Sequence, residues 1–173
     1  MKSLSLVIVS AVIFLVSCNE KRKVYPNEIS FPHNVKSIGS NINMPNEHKS
    51  IGLKIIIYAD STGCVGCKLQ LDMWKLYMES IRRKYDNRVI FLYYLQPRNK
   101  EELLFVLENE EFDYPVYIDM ENKFGKLNGI HSDEVFLLDK NNKIIKTGNP
   151  LESSRIRNKY EEVIEEYFKT NIR

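Results

Sequence analysis

Residues 51–85 read IGLKIIIYADSTGCVGCKLQLDMWKLYMESIRRKY. Ile55, Ile56 and Ile57 followed by Tyr58 make a β-branched and aromatic run, the composition of a strand with both faces buried. Ser61, Thr62 and Gly63 break it. From Val65 to about Tyr85 the apolar residues Leu69, Met73, Leu76, Tyr77 and Ile81 recur mostly three or four apart, which predicts a helix with one apolar stripe. Trp74 widens that stripe, and Asp86 and Asn87 end it. Cys64 and Cys67 stand where the strand meets the helix.

Downstream, Arg88 to Leu95 (RVIFLYYL) is a second strand pattern, closed by Gln96 and Pro97. Lys100 to Glu110 predicts a shorter helix with Leu103, Leu104, Val106 and Leu107 on its apolar side. Tyr114 to Asp119 (YPVYID) is a short strand, and Glu121 to Leu127 a brief helix. Val135 to Asp139 (VFLLD) and Lys143 to Lys146 (KIIK) flank turn chemistry at residues 139–142, so a hairpin is expected. Ser153 or Ser154 is placed to cap a last helix reaching about Phe168, with Ile156, Tyr160, Val163, Ile164, Tyr167 and Phe168 on its apolar side. The order is β-α-β-α-β, a loop, then β-β-α. Strands joined by crossover helices imply a parallel portion, and the hairpin adds an antiparallel edge.

Upstream the chain changes character. Leu4 to Val16 (LSLVIVSAVIFLV) is an uncharged run of 13 residues after a weakly basic start. A bilayer-spanning helix needs roughly 20 residues, so this run fits the apolar core of a secretory leader. It ends in Leu15-Val16-Ser17-Cys18, which resembles the lipobox of bacterial lipoproteins. The resemblance implies cleavage before Cys18 and acylation of its thiol. Several acyl chains on one residue bury enough methylenes for stable anchoring. Asn19 after the cysteine resembles an outer-membrane address. The expected organisation is a leader at 1–17, a polar tether and extension at 18–49, and one domain at 50–173. Residues 24–49 carry short apolar points at Val24, Tyr25, Ile29, Phe31, Val35, Ile38 and Ile42. These admit one or two short strands or an irregular wrap, while the Asn content suggests exposed turns more than a packed element.

The whole chain has 173 residues, 43% hydrophobic and 28% charged, with a formal net charge of +2. That is one domain's worth of chain, long enough to bury a core without disulfide staples. The near-neutral balance gives no reason to expect a nucleic-acid partner. The densest basic run, Arg82-Arg83-Lys84, reads as a solvated helix end.

Three cysteines are present. If acylation uses Cys18, the pair Cys64 and Cys67 is left. On an opening helical turn this spacing brings both sulfurs to one helix end, where free backbone N–H groups and the helix dipole favour a thiolate. Cys64, nearer the N-terminus, is the expected attacking thiol and Cys67 the resolving one. Gly66 keeps the loop small. Three readings stand side by side: dithiol–disulfide exchange, a structural disulfide in a redox-inactive binding or assembly module, and a metal site. Two cysteines are too few for a four-thiolate zinc centre, and His33, His48 and His131 are scattered in polar loops. No metal and no cofactor is expected.

The strand IIIYA leading into Cys64-Val-Gly-Cys67 resembles the thioredoxin-like family, and within it the membrane-anchored thiol–disulfide oxidoreductases of the TlpA/ResA kind. Tyr114-Pro115-Val116-Tyr117-Ile118-Asp119 is similar to that family's Phe-Pro-Val-x-x-Asp stretch. Phe136-Leu137-Leu138-Asp139 followed by KNNKII is similar to its Phe-Leu-Ile-Asp hairpin. The resemblance spans about 51–168. It implies an α/β fold with a central mixed sheet flanked by helices, and a reductase or isomerase of exported protein disulfides at the periplasmic face of a membrane. The implied partners are exported proteins or a membrane electron-donor protein. Four departures bear on the site. Gly63 stands where the family has Trp, and Gly66 where it has Pro. No carboxylate interrupts Ile55-Ile56-Ile57, and Asp60 lies in the loop. Alignment on Phe136 puts Asp133 at the position of the family's cis-proline. A cis bond costs roughly 2.5–4 kcal/mol before a non-proline residue. An Asp133 carboxylate facing Cys64 would disfavour the thiolate or accept its proton.

Overall fold

A computed structural model describes residues 23–39, 52–60 and 69–171 of the chain. Six strands form one sheet: β1 Lys36–Ile38, β2 Leu53–Ala59, β3 Val89–Leu95, β4 Val116–Ile118, β5 Glu134–Leu138 and β6 Ile144–Thr147. Their order across the sheet is β1-β4-β3-β2-β5-β6. The central pairs β2–β3 and β3–β4 are parallel, and β2–β5, β5–β6 and β1–β4 are antiparallel. The sheet is therefore mixed, as expected from the element order.

Four helices accompany it: α1 Leu71–Tyr85, α2 Lys100–Asn109, α3 Lys123–Asn128 and α4 Ser154–Asn171. The crossovers β2-α1-β3 and β3-α2-β4 step the same way along the sheet. Right-handed connections then put both helices on one face. That face carries Ile55, Ile57, Tyr93 and Leu137, which join Trp74, Ile81, Leu103, Tyr160, Ile164 and Phe168 in one core. The other face carries Ile56, Tyr58, Leu92, Tyr94, Phe136 and Leu138. Every residue of β2 from Leu53 to Tyr58 is buried, as a strand covered on both faces requires.

Helix α1 departs from its expected form in two ways. Gln70 has φ +44°, a left-handed conformation that interrupts the helix expected to run on from Val65. The buried stripe is Leu71, Trp74, Tyr77, Met78, Ile81 and Tyr85, with Trp74 at its centre. Met73 and Leu76, expected in the stripe, are 47% and 68% exposed. A stripe starting at Leu71 rotates both onto the solvent side.

In the segment 23–39 the alternative of a short strand and an irregular wrap holds, and the preference for exposed turns does not. The segment crosses the second face of the sheet from one edge to the other. Glu28 bridges Lys143 beside β6, and Ile29 N–H donates to Asn142 O at 2.9 Å. Asn128 then grips Ser30 twice, accepting from its N–H and donating to its carbonyl, each at 2.8 Å. Phe31 packs on Tyr94 and Phe124, and the segment ends as β1 against β4. The reason is coverage. The six residues of α3 cannot shield an apolar sheet face alone, so Ile29, Phe31 and Val35 supply the rest.

The β5–β6 hairpin forms as expected. Asp139 Oδ1 accepts from the N–H groups of Asn141 and Lys143 at 2.8 and 2.9 Å, which closes the turn. Ser153 Oγ accepts from Ile156 N–H at 3.3 Å at the start of α4. The run Arg82-Arg83-Lys84 is exposed at the end of α1, where Lys84 pairs with Glu161 and Glu165 of α4.

Candidate functional site

The site suggested by sequence is built on the carboxyl end of β2, the end of an open α/β sheet where ligands and reacting groups usually gather. Cys64, Cys67, Gly63 and Gly66 lie outside the described residues, as does Cys18. Their two flanks are described. Asp60 ends the first flank, one residue beyond β2, and Leu69, 4% exposed, begins the second.

Asp133 reaches the first flank. Its Oδ1 accepts from the backbone N–H of Asp60 at 2.8 Å. The loop before β5 is thereby tied to the residue from which the Cys64–Cys67 segment departs. The register agrees, since Tyr58 lies opposite Glu134 in the β2–β5 ladder. The peptide bonds of the described residues, that before Asp133 included, are trans.

Two buried charges of the sheet, one closing β4 and one in β2, were not singled out in the sequence. Asp119, the last residue of the YPVYID stretch, is 3% exposed, and its Oδ2 accepts from Phe124 N–H at 2.7 Å at the start of α3. So this end of the sheet does hold a buried carboxylate, at the end of β4, two strands from β2, and not within Ile55-Ile56-Ile57. Its place at the close of a strand pattern was the available signal. Lys54 is fully buried at the opposite end of β2, where its Nζ donates to Asp139 O and Lys140 O at 3.1 Å each. Burial lowers its pKa, with the Asp139 charge acting the other way.

Tyr58 sits among these groups. Its hydroxyl donates to Asn122 Oδ1 at 2.8 Å, and the same oxygen accepts from Gly125 N–H at 3.1 Å to cap α3. Burial pushes the phenol up to about 12. The Asn122 hydrogen bond opposes that, and the charges of Asp60, Asp119 and Asp133 add to it. Tyr58 is therefore a neutral donor at ordinary pH. The surroundings on this side of the site are acidic.

Among the described residues no cluster of His, Cys, Asp and Glu has the arrangement of a metal site. His33 and His131 are exposed, and His48 lies outside the described residues. An apolar groove of about 1030 Å³, lined by Leu76, Met78, Val89, Phe91, Tyr114 and Pro115 among others, opens at the amino ends of β3 and β4. That is the opposite end of the sheet from Asp60 and Asp133.

No protein-family profile matches the chain, and no curated protein sequence does. Solved structures do match in shape. A candidate protein disulfide isomerase from Bacteroides thetaiotaomicron superposes with a TM-score of 0.59 at 14% identity, over 84% of this chain and 92% of that one. A candidate thiol:disulfide interchange protein DsbE from Chlorobium tepidum gives 0.56 at 12% identity, over 85% and 98%. A thioredoxin-like protein solved in its oxidized form gives 0.54 at 12% identity, over 78% and 93%. Sheet order, helix placement and these likenesses agree: the chain has the thioredoxin-like fold.

Proposed function

We propose that this chain is a lipid-anchored, extracytoplasmic thiol–disulfide oxidoreductase that works through Cys64 and Cys67. The observation that carries the reading is the place of the pair in the chain. In the sequence it falls between the carboxyl end of β2 and α1, and Asp60, the last described residue before it, is tied to the Asp133 loop at 2.8 Å. Solved structures of the same shape include proteins described as disulfide isomerase and thiol:disulfide interchange protein. The leader and the lipobox-like Leu15-Val16-Ser17-Cys18 supply the anchor and the address, with Asn19 favouring an outer membrane. Among the described residues no helix is long and apolar enough to cross a membrane.

In the reductive direction the Cys64 thiolate attacks one sulfur of a client disulfide. A mixed disulfide forms, and the client's other sulfur leaves as a thiolate. The Cys67 thiolate then attacks Cys64 Sγ, which releases the second client thiolate and leaves a Cys64–Cys67 disulfide. Two electrons have passed to the client, and a dithiol donor must restore the pair. Exported proteins are the proposed clients, and a membrane electron-donor protein the proposed source of reducing equivalents.

The reduction potential of the Cys64–Cys67 couple tests the reading. A value between roughly −120 and −270 mV is expected for a catalytic couple. A potential below about −300 mV would instead mark a structural bridge in a redox-inactive module. The Cys67→Ser chain is expected to accumulate mixed disulfides through Cys64, resolved on non-reducing gels. Their absence would count against the assigned order of attack.

A further inference from the structure

A second groove opens on the sheet face that carries α3. It encloses about 1110 Å³ between residues 28–33, α3 and the β5–β6 turn. Hydrogen bonds fix its walls from two sides. Ile144 N–H donates to Asn27 O at 3.0 Å and Ile29 N–H to Asn142 O at 2.9 Å, which joins residues 27–29 to the hairpin. Asn128 holds Ser30 from the α3 side, with both contacts at 2.8 Å. The groove is thus pre-formed, so little ordering accompanies binding. Its lining is apolar and cationic together. Ile29, Phe31 and Leu127 supply the apolar part, and Leu127 is 53% exposed. Lys123 and Lys126 stand on the α3 wall and Lys140 on the turn wall, against one lining carboxylate, Glu28. Glu121 meets Lys123 at 3.5 Å, but it is 73% exposed, so solvent screens the pair. Lys126 donates to a backbone carbonyl, Glu121 O, at 2.8 Å.

We propose that this groove seats an extended, acidic polypeptide segment of a partner protein. Its carboxylates lie beside Lys123, Lys126 and Lys140, and an apolar side chain rests on Leu127 and Phe31. Charge and shape together select this occupant. The cations are divided between two elements, with apolar surface in the same groove. A small anion needs donors that converge on one point. An extended chain alternates its side chains and so meets both kinds of surface at once. A flat lipid surface reaches only the rims of a concave site, whereas a narrow chain enters it. The groove uses no residue of the Cys64–Cys67 segment, so this proposal stands or falls apart from the redox reading.

Fluorescence anisotropy tests this at about 0.1 M salt, where charges more than about 10 Å apart are largely screened. The probe is a fluorescein-labelled peptide, Ser-Glu-Glu-Leu-Asp-Glu-Ser, titrated with the full chain dispersed in a non-ionic detergent. Two control peptides replace its Leu by Ser, or its acids by Lys. The Leu peptide is expected to bind about threefold or more tighter than the Ser peptide, and the Lys peptide not to bind. The combined Lys123→Glu, Lys126→Glu, Lys140→Glu variant is expected to weaken binding about tenfold or more, since exposed charge pairs are weak singly and add over three positions. Leu127→Ser keeps the charge and is expected to remove the preference for the Leu peptide. Lys159→Glu, exposed on α4, is the charge control and should leave binding within about twofold. Denaturant midpoints verify that each variant folds, and if the triple variant does not, Leu127→Ser alone decides. Equal binding of the Leu and Ser peptides means that charge alone is read, as by an anionic lipid surface, and overturns the proposal. So does an acidic peptide that fails to bind, or one whose binding survives the triple reversal. Sedimentation as a dimer that the triple reversal splits assigns the groove to a second copy and overturns it as well.

Discussion

Gly125 shows how one residue can hold the site's surroundings in place. A Cβ there would collide with Asn122 Oδ1, the Tyr58 hydroxyl and Ile130 O, the last two at 2.5 and 2.8 Å. Of these, Asn122 Oδ1 both caps α3 and accepts from the Tyr58 hydroxyl. Gly125→Ala is therefore expected to cost about 1–3 kcal/mol, the range for overpacking a filled site, read as a lower denaturant midpoint. An unchanged midpoint would mean that the Asn122–Tyr58 contact relaxes freely. Asp133 makes a complementary point. Alignment predicted its position in the loop before β5, and the hydrogen bond to Asp60 defines what it grips there. That partner lies 73 residues away in the chain, and no local pattern encodes it. Lys54 is the harder case. A lysine ahead of three isoleucines carries no sign in the sequence of being fully buried on two carbonyls of a distant turn.

At the scale of elements, α1 separates periodicity from packing. Spacing alone admitted a stripe through Met73 and Leu76. The sheet selects the one through Leu71, Trp74, Tyr77, Met78, Ile81 and Tyr85, because Trp74 is ringed by Tyr77, Phe91 and Tyr93 at 5.9–6.3 Å. Trp74→Ala should then cost about 3–5 kcal/mol, while Leu76→Ala at an exposed position should stay within about 0.5 kcal/mol. Thermal or denaturant unfolding of the two variants decides, and comparable losses would restore the stripe read from sequence. The crossing segment 23–39 teaches the same lesson. Its apolar residues are too sparse for a helix or a long strand, so composition leaves turns, short strands and an irregular wrap side by side and prefers turns. They are placed by what they cover.

For the whole molecule the tyrosines set an alkaline limit. Burial raises the pKa of Tyr58 to about 12, and those of Tyr25, Tyr77, Tyr94 and Tyr160 further. In the unfolded chain a phenol loses its proton near pH 10. Above that pH the unfolded state binds fewer protons than the folded one, so stability falls as pH rises. Lys54 runs the other way. Its lowered pKa means that the folded chain releases this proton first, and its contribution rises with pH up to the ordinary lysine value. One lysine is outnumbered. The denaturant midpoint is expected to hold steady through weakly alkaline pH and to fall from about pH 10 to 12, with a shallower fall in Tyr58→Phe. A flat or rising midpoint in that window would contradict the burial of these phenols.

The order of strands and helices, the buried central strand, the hairpin and the position of the cysteine pair between β2 and α1 were all legible in the sequence. Each depends on local periodicity or on turn chemistry, which neighbouring residues carry among themselves. Tertiary structure alone decided which side of α1 faces the sheet. It also placed the 23–39 segment across the second face, closed Asp133 on Asp60, and buried Asp119 and Lys54. These outcomes depend on which surfaces meet across long stretches of chain. A side chain's burial and partners belong to that meeting and not to its own sequence neighbourhood.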